Sequence, residues 1–147
     1  MAIQSKERDL IIGQKAALTD EELLQFGKIW FNKLNKHAKV EELLKMVSDT
    51  QLEMIFPEQT IRNSEDFRSW YDAVGENYYD QDHTIEKFAI EISDGAKIDV
   101  VVVWRAKQKA DGVSLAVRVR QTWIITQSIT SRQPVISNYV VHSFEDV

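Results

Sequence analysis

The chain contains no cysteine. This absence excludes disulfide bonds, thiolate metal sites and cysteine nucleophiles, and it leaves the redox environment undecided. The three histidines, His37, His83 and His142, do not lie at the short spacings of metal-binding motifs such as HxH or HExxH. The sequence therefore predicts neither a metal site nor a cofactor.

The chain also lacks a long apolar segment. Near its start, a short apolar patch at residues 10–12 follows the charged residues 6–9, which is the pattern of neither a signal peptide nor a membrane span. We therefore expect no membrane partner, a cytoplasmic location, and an N-terminal arm over residues 1–18.

Charge of one sign is not concentrated anywhere in the chain. The 18 basic residues stand against 23 acidic ones, which gives a net charge of −5, and neither sign forms a long block. Proteins that bind nucleic acid usually carry a basic patch, so nucleic acid is not expected as a partner. The 147 residues, 44% of them hydrophobic, suffice for one core, and we expect a single domain over residues 19–147.

The most regular pattern is a long β-hairpin over residues 98–126. Apolar side chains alternate along both arms, and Ala110, Asp111 and Gly112 lie between the arms. The Asp-Gly pair supplies the positive φ that short hairpin turns require. Gln121 interrupts the apolar row of the second arm with an amide, which is the first indication of a pocket.

Helical spacing precedes the hairpin. A capping box at residues 19–22 predicts a first helix that ends near Asn35, and a second helix follows at residues 40–47. Asn63 or Ser64 caps a third helix, which ends at Gly75. The other predicted elements are strands at residues 51–56, 83–92 and 135–144 and a polar loop at residues 77–82. This order predicts an α+β fold, in which helices cover one face of a curved antiparallel sheet.

This order of elements resembles the nuclear transport factor 2-like superfamily, which includes the ketosteroid isomerases and the SnoaL-like proteins. The features that carry the resemblance are Trp30 and Phe31 in the first helix, the helix at residues 42–49 that leads into a strand, the helix at residues 64–71 and the Asp-Gly hairpin turn. The resemblance covers residues 19–145. It implies a cone fold, or cystatin-like roll: a strongly curved antiparallel sheet wrapped around about three N-terminal helices, with a mostly apolar pocket between them.

The resemblance does not extend to the catalytic groups of the ketosteroid isomerases. Residues 54–56 stand where that family has a carboxylate base, Trp30 or Phe31 where it has a tyrosine, and Gln121 where it has a second carboxylic acid. Met and Phe cannot accept a proton. We therefore expect no isomerase activity of that type.

The last strand can present either of two rows to the pocket. One row contains Ile136, Asn138, Val140, His142 and Phe144, and the other contains Val135, Ser137, Tyr139 and Val141. We expect the first row to face inward, because its ends are more apolar and the resemblance implies the same register. Asn138 and His142 would then lie beside Gln121 as a polar cluster in an apolar wall.

These positions supply the candidate site residues. His142 is the candidate catalytic acid or base. The candidate ligand-binding residues are Trp30, Tyr71, His83, Trp104, Gln121, Trp123 and Asn138. The alternative account is that these side chains only fill the core or make hydrogen bonds inside it, which is the more frequent role of a single polar side chain on an apolar strand.

The outer face of the predicted sheet is too apolar to be left entirely to water. We assign to it Val101, Val103, Ala116, Ile124, Tyr139 and Val141, interspersed with Asp99, Arg105, Arg118 and Arg120. Because the helices are already used on the other face, the sequence predicts a homodimer through this one, and the resemblance implies the same.

The function that the sequence favours is the binding of a small, largely apolar molecule in the cone pocket, in the manner of SnoaL-like proteins. Whether the protein is an enzyme stays open: it would be of isomerase, cyclase or dehydratase type without the usual carboxylate base. Two alternatives stay open as well. One is a non-catalytic dimerisation or interaction module, and the other is the small subunit of an aromatic-ring dioxygenase, which needs a large partner chain.

Overall fold

The computed structural model describes residues 18–147, which form three helices and six strands. In chain order they are α1 (Asp20–Lys36), α2 (Val40–Leu44), β1 (Glu53–Ile55), β2 (Thr60–Ile61), α3 (Ser64–Asn77), β3 (Tyr78–Ser93), β4 (Gly95–Gln108), β5 (Ser114–Gln127) and β6 (Pro134–Asp146). The predicted N-terminal arm, residues 1–18, lies outside the described residues apart from Leu18, which is buried. None of the described helices combines the length and the hydropathy needed to cross a membrane.

The strands form one curved, unclosed sheet with the order β2-β1-β6-β5-β4-β3. Neighbouring strands are antiparallel except β1 and β6, which run parallel. A parallel pair needs a long connection, and here α3 and four strands lie between the two partners in the chain. The predicted α+β cone is confirmed, and its sheet is antiparallel except for this pair.

The first helix begins and ends at residues whose chemistry suits those positions. The Oγ1 atom of Thr19, the N-cap, accepts a hydrogen bond of 3.1 Å from the backbone N–H of Glu22. The helix ends at Lys36, one residue beyond the predicted end, and His37 follows in the left-handed region at φ 48°. The buried side of α1, which lies against β3, carries Leu23, Phe26, Trp30, Phe31 and Leu34.

The third helix is longer than the sequence predicts. Asn63 caps it, because its Oδ1 accepts a 2.8 Å hydrogen bond from the backbone N–H of Asp66. The helix continues through Gly75 to Asn77, so the predicted end at Gly75 is wrong. A Cβ atom at position 75 would overlap the ring of His37, and close packing rather than chain reversal therefore explains the glycine.

The predicted polar loop at residues 77–82 is also wrong, because β3 begins at Tyr78 directly after α3. A β-bulge interrupts its pairing with β4 between Tyr79 and Asp82, and Asp80 takes a φ of 52° there. The bulge breaks the alternation of polar and apolar residues that identifies a strand in a sequence. It also brings Gln81 to the concave side of the sheet, where it lines a cavity.

Two further bulges interrupt the pairing of β6 with β5. At the first, Arg120 pairs with Ser143 and Gln121 pairs with Val141, which leaves His142 as the extra residue. An extra residue shifts the alternation of faces by one position for everything beyond it.

The second bulge leaves Ser137 as the extra residue of β6. Between the two bulges, Tyr139 and Val141 therefore pair with inward-facing residues of β5, and Asn138 and Val140 pair with outward-facing ones.

The row predicted to face inward on the last strand is therefore only partly correct. Its end residues Ile136 and Phe144 lie on the concave side, the first fully buried and the second at the cavity. The expectation that Asn138, Val140 and His142 face inward is wrong, because it assumes an uninterrupted period of two.

Charged side chains lie across the apolar residues of the outer face. Val101 and Val103 are buried, at 9% and 2% exposure, although they point away from the helices. Their cross-strand neighbours are Arg120 and Arg118, and Arg118 reaches Glu86 through hydrogen bonds of 2.8 and 3.2 Å. The aliphatic stems of these arginines cover the valines beside them.

The predicted composition of the outer face needs one correction. The sequence pattern places Tyr139 and Val141 there, but the bulges turn both to the concave side, where they line the cavity. Ile124 and Val140 are half-buried on the outer face, and Arg120 pairs with Glu145 at 3.3 Å. The face is therefore more polar than the sequence suggests.

Candidate functional site

A cavity of about 360 Å³ lies between the concave side of the sheet and the helices. Of its 19 lining residues, eight are Phe, Tyr or Trp. The charged residue of this lining is Glu58, which is exposed to solvent. No Lys or Arg is present among the described residues that surround the cavity. The uncharged polar groups that remain are His83 and three glutamines, of which Gln81 and Gln121 belong to the sheet.

His83 lies on β3 opposite Trp104 of β4, and its ring stacks on Phe31 with the ring centres 5.1 Å apart. Its Nδ1 atom is 2.7 Å from Oδ1 of Asn35 in α1. Burial lowers the pKa of His83 to about 4, although Asp82 opposes the shift. The imidazole is therefore neutral at neutral pH.

The tautomer of His83 follows from its partner. In the orientation that the Asn35 amide takes here, its oxygen faces Nδ1 of His83 and can only accept, so Nδ1 carries the hydrogen and donates it. The Nε2 atom then keeps its lone pair, and no described residue donates a hydrogen bond to it. The site thus presents a neutral imidazole nitrogen as a hydrogen-bond acceptor.

Gln121 is 3% exposed and lies on the concave face of β5. Its Oε1 accepts a 2.8 Å hydrogen bond from the indole N–H of Trp123. Its amide nitrogen is directed to the phenol of Tyr139 and the cavity. Burial raises the pKa of Tyr139, which keeps the phenol neutral, and Trp30 and Gln121 oppose that rise. The indole N–H of Trp30 itself has no well-formed hydrogen bond within residues 18–147.

Gln81 repeats this arrangement at the bulge of β3. Its Oε1 accepts a 3.1 Å hydrogen bond from the indole N–H of Trp104. The edge of Trp104 in turn meets the ring of Tyr78, with centres 4.9 Å apart. Both sheet glutamines of the cavity therefore have their oxygen occupied by an indole.

Tyr71 contributes its ring to the cavity and uses its hydroxyl elsewhere. The hydroxyl donates a 2.5 Å hydrogen bond to the carbonyl of Ala38, and the ring stacks on His37 at 4.1 Å. Burial, with a smaller contribution from Glu42, raises the pKa of Tyr71 to about 12. This tyrosine is neutral and already hydrogen-bonded, so it offers a ligand only its aromatic surface.

The structure divides the predicted ligand-binding residues into three groups. Those that line the cavity are Tyr71, His83, Trp104 and Gln121. Trp30 and Trp123 are fully buried behind the lining, where their rings lie 6.3 Å apart, and Trp123 acts on the cavity through Gln121. That these six residues bind a ligand stays a prediction.

The third group, Asn138 and the candidate catalytic residue His142, lies on the outer face. Asn138 donates a 3.4 Å hydrogen bond to Glu53. The exposed His142 places Nε2 2.8 Å from Oγ1 of Thr122, which donates to Asp99 at 3.0 Å. The expectation that these two residues face the cavity is wrong, and His142 is outside the candidate site.

Sequence reasoning missed Asn35, Gln81 and Tyr139. Asn35 follows Phe31 by four residues in α1, so the helical period could have shown that it continues the buried side. Gln81 and Tyr139 gave no such signal, because each owes its direction to a bulge. Within residues 18–147 no three His, Asp or Glu side chains come together as a metal site would require.

Comparison with protein-family models and with curated proteins gives no match. Solved structures do match. A nuclear transport factor 2-like superfamily protein from Salmonella enterica superimposes with a TM-score of 0.76 at 12% identity, over 84% of this chain and 89% of that one.

Two further similar structures have names that refer to enzymes. A ketosteroid isomerase-like protein from Erwinia carotovora matches with a TM-score of 0.68 at 13% identity, over 88% of this chain and 98% of that one. A hexachlorocyclohexane dehydrochlorinase matches with a TM-score of 0.72 at 13% identity, over 86% and 87% of the two chains. Identities this low establish architecture rather than activity. The chain has the fold of the nuclear transport factor 2-like superfamily.

Proposed function

We propose that the protein binds a small, uncharged, largely aromatic molecule in the cavity between the sheet and the helices. The observation that carries the proposal is the lining itself: about 360 Å³ of space, eight aromatic side chains and a few oriented polar groups. Small-molecule sites are usually concave and apolar, with a small number of fixed polar contacts.

The charges around the cavity support an uncharged ligand. An anion inside the cavity would find no cationic side chain among the described lining residues, and Glu58 at the exposed rim would repel it. Burying an unpaired charge costs several kcal/mol, roughly what a small ligand gains from apolar contact. A neutral molecule avoids this cost.

Binding is supported better than proton abstraction. Among the titratable groups of the cavity, His83 is the best candidate for a general base. A general base works best when its pKa lies near the working pH. The pKa of His83 is lowered to about 4, and its partner Asn35 has no negative charge with which to stabilise an imidazolium. One similar structure is named for hexachlorocyclohexane, a small apolar compound, and this agrees with the proposed class of ligand without assigning a reaction.

Isothermal titration calorimetry with neutral 2-naphthol and with 2-naphthoate, a carboxylate of similar size on the same ring system, tests the proposal. We expect 2-naphthol to bind and to raise Tm by several degrees near saturation, because a ligand at 100 times its Kd stabilises the folded state by about 2.7 kcal/mol. The matched control is Val141→Phe, which fills the cavity from β6 and should abolish binding. Equal affinity for the two compounds, or binding that Val141→Phe does not reduce, would contradict the proposal.

We also propose that two copies of the chain pair through the outer sheet face, and that the protein is cytoplasmic, as the sequence suggests. Half-buried Ile124 and Val140 support the pairing, since both lie on this face. Sedimentation velocity tests it: we expect a dimer at micromolar concentration that Ile124→Lys converts to a monomer. A monomeric wild-type protein would end the proposal.

A further inference from the structure

One edge of the sheet is open along part of its length. We infer that an extended segment of another protein adds to this edge as a further strand beside residues 142–146 of β6. The segment carries a β-branched residue with a lysine or arginine two positions away on each side. The inference concerns the backbone edge of the sheet rather than the contents of the cavity, and it does not rest on the proposed function.

The edge is open because β1 is much shorter than β6. The three residues of β1 pair with residues 138–140, whereas β6 runs to Asp146. Beyond Val140, no described residue pairs with β6 on the side away from β5. Unpaired backbone N–H and C=O groups at a sheet edge can pair with an added strand. Residues 142–146 offer ~16 Å of edge, which is enough for a strand of five residues.

The turn after β1 prevents that strand from covering the edge. The backbone N–H of Phe56 donates to the carbonyl of Gln59 at 2.8 Å, and the chain then returns into β2, which pairs with β1. Pro57 lies inside this turn and has no N–H with which to pair to a neighbouring strand. The turn therefore ends β1 and leaves the edge beside residues 142–146 to a strand from elsewhere.

The side chains along the open edge indicate which residues the added strand carries. Beyond the bulge at His142, Phe144 and Asp146 point to the concave side, since they pair with Val119 and Val117. At 53% exposure, Phe144 is the most exposed large apolar side chain of the described strands. A β-branched side chain directly opposite Phe144 would cover the ring, and such aromatic–β-branched pairs stabilise neighbouring strands.

The concave side of this edge is acidic. Asp146 lies two residues beyond Phe144, and Glu58 lies on the other side of Phe144, because it follows β1, which ends beside Val140. Both carboxylates are exposed, and neither forms an ion pair with another described residue. Basic residues two positions before and after the β-branched residue would therefore meet a carboxylate at each end.

The opposite edge of the sheet is better protected. That edge is β3, whose pairing with β4 is interrupted by bulges between Tyr79 and Asp82 and between Ile85 and Lys87. Bulges twist an edge away from an incoming strand, and exposed charges have a similar effect. In the open segment of β6, the bulge lies at the first residue only, and the remaining residues form an uninterrupted strand.

NMR titration of the isotope-labelled chain with the acetylated and amidated peptide Thr-Lys-Thr-Val-Thr-Lys-Thr tests the inference. The peptide sequence is palindromic, so its valine can lie opposite Phe144 in either strand direction. We expect the backbone amide signals of residues 141–146 to shift. The peptide with glutamate in place of both lysines should bind about tenfold more weakly, because like charges then meet at Asp146 and Glu58.

Two N-methylated peptides test the backbone contacts. In a paired strand, alternate residues direct their N–H groups to the neighbouring strand, so the peptide uses either the valine N–H or the threonine N–H groups. We expect an N-methyl group on the valine and one on an adjacent threonine to act differently: one should abolish binding, and the other should change Kd by less than about threefold. Equal effects would contradict addition as a strand.

Variants of the chain assign the preferences to residues. Asp146→Lys should bring the affinities for the lysine and glutamate peptides to within about threefold of each other. Glu91→Lys makes the same charge change at an exposed position of β3 and should leave the tenfold difference intact. Phe144→Ser should weaken the binding of both peptides, since it removes the apolar contact. Circular dichroism and Tm of each variant establish that it is folded.

Three results would overturn the inference. The first is that no peptide shifts the amide signals of residues 141–146. The second is a set of shifts centred on His83 and Gln121, which would mean that the peptide enters the cavity. The third is a wild-type oligomer that Phe144→Ser dissociates, which would mean that a second copy of the chain occupies this edge. The titration of the wild-type chain needs no variant, so a variant that fails to fold does not prevent a decision.

Discussion

The two faces of the sheet place polar side chains among valines in different ways. On the concave face, Gln121 and Gln81 are uncharged, and indole N–H groups satisfy their oxygens. On the outer face, Arg118 and Arg120 are charged, and the carboxylates of Glu86 and Glu145 pair with them. A buried polar group needs a matched neutral partner, whereas an exposed one can use a charged partner at little cost.

The comparison predicts that a new charge is tolerated on one face only. Val100 is 1% exposed on the concave side, and Val100→Glu should lower the free energy of unfolding by about 3 kcal/mol or more, because the carboxylate is buried without a partner. Ala116→Glu is the control, since Ala116 is half-buried opposite Arg105 on the outer face. Urea unfolding of both variants measures the difference. Equal losses would show that the faces do not differ in this way.

The second prediction concerns acid, because His83 is neutral in the folded state. The unfolded chain binds a proton at His83 near pH 6.5, and the folded protein does so only near pH 4. The stability that is fully present above pH 6.5 is therefore lost as the pH falls towards 4, by about 3 kcal/mol. Urea unfolding across this range measures the slope.

The control for that slope is His83→Phe, which should remove most of it. A smaller slope of the same sign should remain, because burial also lowers the pKa of His37. A wild-type protein whose stability does not change between pH 6.5 and 4 would contradict the prediction.

The third prediction places a negative charge beside His83, on the concave side of the sheet. Asn35→Asp places a carboxylate beside Nδ1 of His83, where the amide oxygen now lies at 2.7 Å. We expect the pKa of His83 to rise by about one to two units, since a nearby negative charge favours the imidazolium. NMR titration of the imidazole measures it. Asn35→Leu, which removes the hydrogen bond without adding a charge, should not raise it.

The smallest effect is expected on the outer face itself. Glu86→Gln removes the ion pair with Arg118, whose groups are exposed to solvent, so Tm should change little. Any loss should disappear at about 1 M salt, where charges are screened within about 3 Å. A large loss of Tm that persists at that salt concentration would mean that this pair contributes more than its exposure suggests.

Much of the architecture could be predicted because local chemistry and the fold agree there. Thr19 and Asn63 cap the helices that their sequence positions indicate, and Gly112 takes a φ of 73° in the predicted hairpin turn. Gln121, an amide in an otherwise apolar row that is visible without coordinates, lines the cavity. These are signals that a few neighbouring residues carry by themselves.

The rest of the site depends on bulges, which have no comparable signal. His142 and Ser137 are ordinary strand residues, and only their pairing with β5 reveals that each is an extra residue. A period of two places Tyr139 on the outer face for this reason, and the sequence pattern places Gln81 in a loop. The partnership of His83 with Asn35 joins residues 48 apart in the chain, which spacing alone does not reveal.

The bulges of β6 have a consequence for the volume of the cavity. A strand with more residues than its neighbour over the same span must bend, and the local twist of the sheet increases. His142 and Ser137 lie outside the cavity lining, yet the curvature to which they contribute gives the sheet its concavity. Part of the cavity volume available to a ligand is thus set by His142 and Ser137, which a ligand in the cavity does not contact.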